Sequence, residues 1–273
     1  MGRDTMSRAS PQSPRMLKRK RSGTAPLTPP LSTHDAEGAR LLDRAVNVLS
    51  TAATALSQVT VLYQSDHYAR DSLVRAVERL TKTYEAGGKL LICGVGKSGL
   101  VGMKMVATMK SLGLGASFLH ASEALHGDLG DLRSSDAIMF VSFSGKTPEL
   151  LSLLHHIPKS NTVLAITSHT STGDCPLLMG RPDAVLLPAP IHEAEEISFG
   201  VCAPTTSTTV AIAVGDMLAL TVAEAIHQGN TKQIFQRNHP GGSIGAQARQ
   251  PVSGEEAEEE ISPKRCPSMP SPD

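Results

Sequence analysis

The sequence predicts an α/β fold in which a parallel sheet is covered by helices. Three observations predict it. Of the 273 residues, 40% are hydrophobic but only 3% are aromatic, and there is no Trp. Leu, Val, Ala, Ile and Met must therefore fill the core, which suits buried parallel strands and their covering helices. From residue 89 onward, short apolar runs alternate with segments of helical period, as right-handed strand–helix crossovers require. Two of the junctions, GVGKSG at 94–99 and SFSGKT at 142–147, are glycine-containing turns directly after a strand-like run.

In chain order, Ala39 to Tyr63 carries Leu42, Val46, Leu49, Ala53, Leu56 and Val59 at close to helical spacing. A second helix is expected from Ala69 to Glu85, stopped by Gly87-Gly88. Strand 89–93 leads to helix 98–112, and strand Ala116 to Leu119 leads to an irregular loop, 120–133. Strand Asp136 to Phe143 precedes helix 147–156, and strand Thr162 to Ile166 precedes a loop with a short helix. Strand Ala184 to Leu187 leads through a long loop to helix 205–227. The apolar stretch Val210 to Ala225 contains Asp216 and Glu224 and is short for a bilayer span, so it reads as a core helix.

The flanks differ in kind. Residues 1–36 are rich in Ser, Pro and Arg and offer little to bury, and residues 248–273 carry the acidic block Glu255 to Glu260. Both read as solvated, disordered tails around one domain, 37–247. Lys18-Arg19-Lys20-Arg21 has the composition of a nuclear address or phosphate-contact patch, and the Arg- and Ser-rich start that of a mitochondrial leader, but it lacks a clear amphipathic helix. A solvated stretch of tail is the simpler account. No apolar secretory segment is present, and the four cysteines, at 93, 175, 202 and 266, form no CxxC pair. A reducing, cytoplasmic setting without membrane attachment is expected. A formal net charge of zero gives no global pointer to nucleic acid.

Ligands of such sheets gather at the carboxyl ends of the strands. GVGKSG fits GxGxxG, but the triphosphate pattern GxxxxGK[ST] fails because its first Gly would fall at Leu91. A dinucleotide, a smaller phosphate ester and a structural turn with a solvated Lys97 all remain open there. In the second turn, Ser142, Ser144 and Thr147 surround Gly145 ahead of a helix N-terminus. They suit a phosphate cradle, with ordinary N-capping as the alternative. His120, Glu123 and His126 crowd a third loop. Their spacing matches neither HExxH nor a facial triad, so polyol binding, a metal and a structural His stay open. Glu193, Glu195 and Glu196 precede the hydroxyl run Thr205 to Thr209. Glu196 is the candidate base, while Glu193 and Glu195 read as a solvated acidic loop beside a capped helix start. His239 sits before Pro240-Gly241-Gly242, which reads as a stiff turn rather than a helix.

Together these segments resemble the sugar isomerase (SIS) domain family, in its D-arabinose 5-phosphate isomerase branch. The resemblance rests on GVGKSG, HASEALHGDLG at 120–130, SFSGKTPE at 142–149, EISFGVCAPTTSTT at 196–209 and NHPGG at 238–242, all in the family's order. It implies a three-layer sandwich, flavodoxin- or Rossmann-like, with a five-stranded parallel sheet between helices. It also implies interconversion of D-arabinose 5-phosphate and D-ribulose 5-phosphate through an enediol(ate). The alternative is a sugar-phosphate sensor without turnover; no helix-turn-helix pattern precedes residue 40.

By motif position the family's catalytic groups fall on Lys97, Glu149, Glu196 and His239. Its substrate contacts fall on Gly96, Ser98, His120, Glu123, His126, Ser142, Ser144, Gly145, Thr147 and Thr205. No cofactor is implied; an inhibitory divalent metal at His120 is. The partners implied are a small sugar phosphate and further copies of the chain, as a dimer or tetramer, without nucleic acid or membrane. Two departures stand out. Lys146 replaces a usual acidic residue, and the 273 residues hold no counterpart of the C-terminal CBS pair common in bacterial members, so control through one is not expected.

Overall fold

A computed structural model describes residues 35–241; the expectations for both tails, beyond Asp35 and Ala36, lie outside them. The chain divides into two compact units, 1–46 and 47–273. The described residues of the first are a bend at Asp35 and the opening of helix α1 (Ala36–Ser65), where Leu41, Leu42 and Val46 are exposed.

In the second unit, α1 ends and α2 (His67–Glu85) begins at Asp66, whose carboxylate accepts the Ala69 N–H at 2.8 Å. Strand and helix then alternate: β1 (Leu90–Gly94), α3 (Lys97–Ser111), β2 (Ala116–Leu119), the short α4 (Ala121–Ala124), β3 (Ala137–Val141), α5 (Pro148–Leu154), β4 (Thr162–Thr167) and β5 (Val185–Pro188). Among the described residues, three helices follow: α6 (Glu195–Phe199), α7 (Thr206–His227) and α8 (Thr231–Asn238).

All the strand pairings are parallel, in the order β2-β1-β3-β4-β5. The strands are apolar on both faces because helices cover both. Leu90, Ile92, Met139, Leu164 and Leu187 pack with α2, α3 and α7. Leu91, Cys93, Ile138, Phe140, Ala165 and Leu186 pack on the other face with α4 and α5. The side-chain period of two thus divides each strand between two cores. Burial pushes the Cys93 thiol up to about 12, and this cysteine serves as a small core hydrophobe.

One carboxylate ties the entrance of β3 to that of β1. Asp136 is 3% exposed. It accepts the backbone N–H groups of Lys89 and Arg133, each at 2.9 Å, and the Lys89 ammonium at 3.0 Å. Burial alone would raise its pKa. The donated hydrogen bonds and the nearby ammonium outweigh that and hold it below the ordinary carboxylate range.

The structure bears out the α/β class and the five-stranded parallel sheet. It changes several details. Strand β3 is shorter than 136–143. The loop 120–133 contains α4 and a 3-10 turn at Asp128–Asp131, and the long loop before α7 contains α6. Residues 231–238, left without an element by the sequence, form α8. His239 caps that helix instead of standing in a free turn, with its ring stacked on Phe235 at 4.1 Å and Nδ1 2.7 Å from the Phe235 carbonyl oxygen. Both α1 and α7 are long and apolar enough to cross a membrane, the latter longer than the stretch read from sequence. Helix α7 buries Val210, Val214, Leu218 and Val222 in the core.

Candidate active site

The strand order reverses direction between β1 and β3. The crevice above that switch point, outside the carboxyl ends of the strands, is where open α/β sheets bind ligands. A cavity of about 500 Å³ lies there, a size suited to a small metabolite. Val95, Val141, Phe143, Ile166, Thr167, Ala189 and Ile191 line it from the strand ends, and Lys97, Ser98, Glu195, Glu196, Cys202, Ser207 and Thr208 bring polar groups.

The first glycine turn delivers Lys97. Gly94 ends β1, and a Cβ there would stand 2.8 Å from the Ser98 carbonyl oxygen. Gly96 adopts φ +58 at the start of α3, a left-handed conformation that favours glycine. The chain therefore turns sharply enough to set Lys97 and Ser98 on the first turn of α3, over the cavity. No side chain caps that turn, so its N–H groups add positive character beside the Lys97 ammonium.

Adjacent glutamates take different parts. Glu195 is not the solvated carboxylate expected from sequence. Its Oε1 accepts the N–H groups of Thr205 and Ser207 at 2.6 and 3.0 Å and the Ser207 hydroxyl at 2.9 Å. It caps α7, and by doing so engages Thr205, which was expected at the substrate. The Ser198 hydroxyl donates to Glu193, so that carboxylate too is held locally. Glu196 faces the cavity, and the Cys202 thiol donates to its Oε2 at 3.3 Å. That hydrogen bond and the carboxylate's charge raise the Cys202 pKa, which keeps the thiol protonated as a donor.

The second glycine turn braces itself. The Ser142 hydroxyl lies 2.9 Å from the Thr147 hydroxyl and accepts the Gly145 N–H at 3.2 Å, while Ser144 Oγ accepts the Lys146 N–H at 3.2 Å. His169 steadies the turn from the loop after β4, its Nε2 2.9 Å from the Ser144 carbonyl oxygen. Gly145, at φ +61, leaves room for Cys175 and His169, since a Cβ would stand 3.1 Å from the Cys175 sulfur.

Of the residues singled out in sequence, Lys97, Ser98 and Glu196 share the cavity wall. The turn of Ser142, Ser144, Gly145 and Thr147 follows β3 next to the wall residue Phe143, with Lys146 and Glu149 exposed on it and on the first turn of α5. His120, Glu123 and His126 are exposed around α4, after β2, and do not line the cavity. Among the described residues, no group of three or more His, Cys, Asp or Glu side chains is placed to hold a metal ion. His239 does not line the cavity either; its stacking partner Phe235 faces a groove with Lys104 and Asp216. Cys202, Glu195 and His169 were not legible as site groups. Their parts depend on contacts between loops that carry no motif.

Comparison with known proteins gives one family match: the SIS domain model covers residues 83–221. Arabinose 5-phosphate isomerase KpsF of Escherichia coli is 41% identical over 160 residues, covering 58% of this chain and 46% of that protein. Arabinose 5-phosphate isomerase KdsD of Yersinia pestis is 35% identical over 188 residues, covering 67% and 53%. The chain thus spans about half the length of these curated relatives. A solved Escherichia coli CFT073 protein in complex with arabinose 5-phosphate superposes with a TM-score of 0.61 at 27% identity, over 74% of this chain and 98% of that one.

Proposed function

The chain belongs to the SIS domain family, and from that membership we propose that it is a sugar-phosphate isomerase interconverting D-arabinose 5-phosphate and D-ribulose 5-phosphate. The observation that carries the proposal is the convergence of Lys97 and Glu196, from separate loops, on one cavity at the strand switch point. The names of the curated relatives and the sugar-phosphate complex of the Escherichia coli CFT073 protein support the choice of pentose phosphate.

In this mechanism the open-chain aldose lies with its C1–C2 end between Lys97 and Glu196. The Glu196 carboxylate takes the proton from C2. The C2–H electron pair forms the C1=C2 bond, and the C1 carbonyl oxygen takes up negative charge, which the Lys97 ammonium stabilises. Return of the proton to C1, with the O2 proton passed to O1 through the medium or a neighbouring base, gives the ketose. The Cys202 thiol holds the Glu196 carboxylate toward the sugar. The braced turn of Ser142, Ser144 and Thr147, with the start of α3, holds the phosphate, and the Lys146 cation adds to its field. Glu149 orients Lys97 or shares the base's work.

Within one copy His239 is engaged at the end of α8 and is absent from the cavity wall. A second copy therefore supplies it, to open the sugar ring or move protons between oxygens. Exposed Leu100 and Met103 on α3 and Leu220 on α7 offer apolar surface for such assembly.

The test is an isomerase assay combined with mixing. Glu196→Gln and His239→Asn are each expected to be inactive alone, and unfolding and refolding them together should restore up to about a quarter of the activity if each site draws on two chains. No recovery in a stable mixed oligomer would place Glu196 and His239 of each site in one copy, and full activity of His239→Asn alone would place His239 outside the reaction. Separately, Ser142→Ala is expected to raise KM for the phosphorylated sugar about tenfold, roughly 1.4 kcal/mol. Any reaction of the unphosphorylated sugar should be unaffected. Equal effects on both would remove the turn from phosphate binding.

A further inference from the structure

We propose that the amino-terminal edge of the sheet carries a second anion site, separate from the cavity above the carboxyl ends, for a small phosphorylated molecule that also bears a hydroxyl or N–H donor. The two sites lie at opposite ends of the same strands. A cavity of about 320 Å³ opens where β4 and β5 begin, lined by Arg79 of α2, the segment Lys159 to Val163, and the segment Gly180 to Ala184.

Its charge is lopsided. Arg79, Lys159 and Arg181 face one carboxylate, Asp183. The Arg79–Asp183 pair, at 3.3 Å, is open to solvent, with side chains 41% and 85% exposed. Such a pair is weak and leaves the guanidinium ready for a bidentate phosphate. Among the described residues, the Lys159 ammonium and the Ser160 and Thr162 hydroxyls make no side-chain hydrogen bond or ion pair. Arg181 is committed: it donates to the carbonyl oxygens of Leu154, Ile157 and Pro158. It thereby fixes the loop before β5 against the end of α5 and shapes the wall without needing to move.

Asn161 fixes the segment before β4 behind this wall. It is 5% exposed, and its Nδ2 is fixed by the carbonyl oxygens of Arg133 and Asp136 at 2.7 and 2.9 Å. Its Oδ1 is buried without a partner. A buried acceptor left unpaired costs about 1–3 kcal/mol. Two available cations, Arg79 and Lys159, beside the Ser160 and Thr162 hydroxyls in one cavity call for a ligand with an anion and a hydrogen-bonding hydroxyl or N–H close together.

The test is calorimetry at constant ionic strength, with inorganic phosphate and D-glucose 6-phosphate as probes, on the full chain. Binding is expected in the wild type and in Lys97→Ala, tighter for the sugar phosphate. Lys159→Glu and Arg79→Gln are each expected to weaken it at least tenfold while Tm and isomerase activity stay unchanged. Binding lost in Lys97→Ala but kept in Lys159→Glu would assign the anion to the carboxyl-edge cavity and overturn the proposal. Absence of binding in the wild type, or equal binding in all four proteins, would overturn it as well. The binding and Tm outcomes do not depend on whether the chain is an isomerase.

Discussion

Glu196→Gln is expected to lower kcat for D-arabinose 5-phosphate by about 10²–10⁴, the usual worth of a positioned general base. KM should stay near its wild-type value. The amide keeps the size of the carboxylate and can still accept from the Cys202 thiol, which lies 3.3 Å from Oε2 in the native chain. What it cannot do is take a proton from carbon. A fall in kcat at constant KM is the signature of a group needed in the transition state rather than in binding. Steady-state kinetics alongside calorimetric binding of the sugar phosphate would check this. Wild-type turnover in the variant would move the base to another residue, with Glu149 the first candidate.

Asp136→Asn is expected to destabilise the fold by about 2–4 kcal/mol at neutral pH, because a buried charge-assisted network loses its acceptor. Asp136 receives three donors from Lys89 and Arg133, and Asn would place an N–H₂ among them. The effect should depend on pH with a definite sign. The folded-state pKa lies below the ordinary value, so the contribution is fully present above the unfolded value near ~3.9. It is lost as pH falls through the folded value. Denaturant melts should therefore show the gap between wild type and variant closing only in acid. A gap independent of pH would assign the loss to packing instead.

The fold was legible because the two strongest local signals agreed. All-apolar runs such as Leu91 to Cys93 and Ala137 to Val141 are buried on both faces, and glycine turns marked where β1 and β3 hand over to a helix. Residues carried by those turns, Lys97 and Ser98, could be placed on the cavity from sequence, and so could Glu196 from its motif. The division of labour between Glu195 and Glu196 could not. Adjacent glutamates look alike in sequence, and the phase of α6 decides which reaches the α7 N-terminus. The inward bonding of Ser142 and Thr147 was hidden for a similar reason, since a hydroxyl in a turn serves the loop or the ligand with the same spacing. Helix α8 escaped notice because its eight residues bury nothing completely, and its cap moved His239 out of the free turn expected for it.

The most direct measurement is proton NMR of D-arabinose 5-phosphate incubated with the purified chain in D₂O. Proton transfer from C2 through a carboxylate base predicts growing D-ribulose 5-phosphate signals and deuterium entering the carbon positions exchanged. An unchanged aldose spectrum, under conditions where calorimetry shows the same compound bound at the Lys97 and Glu196 cavity, would contradict isomerisation there.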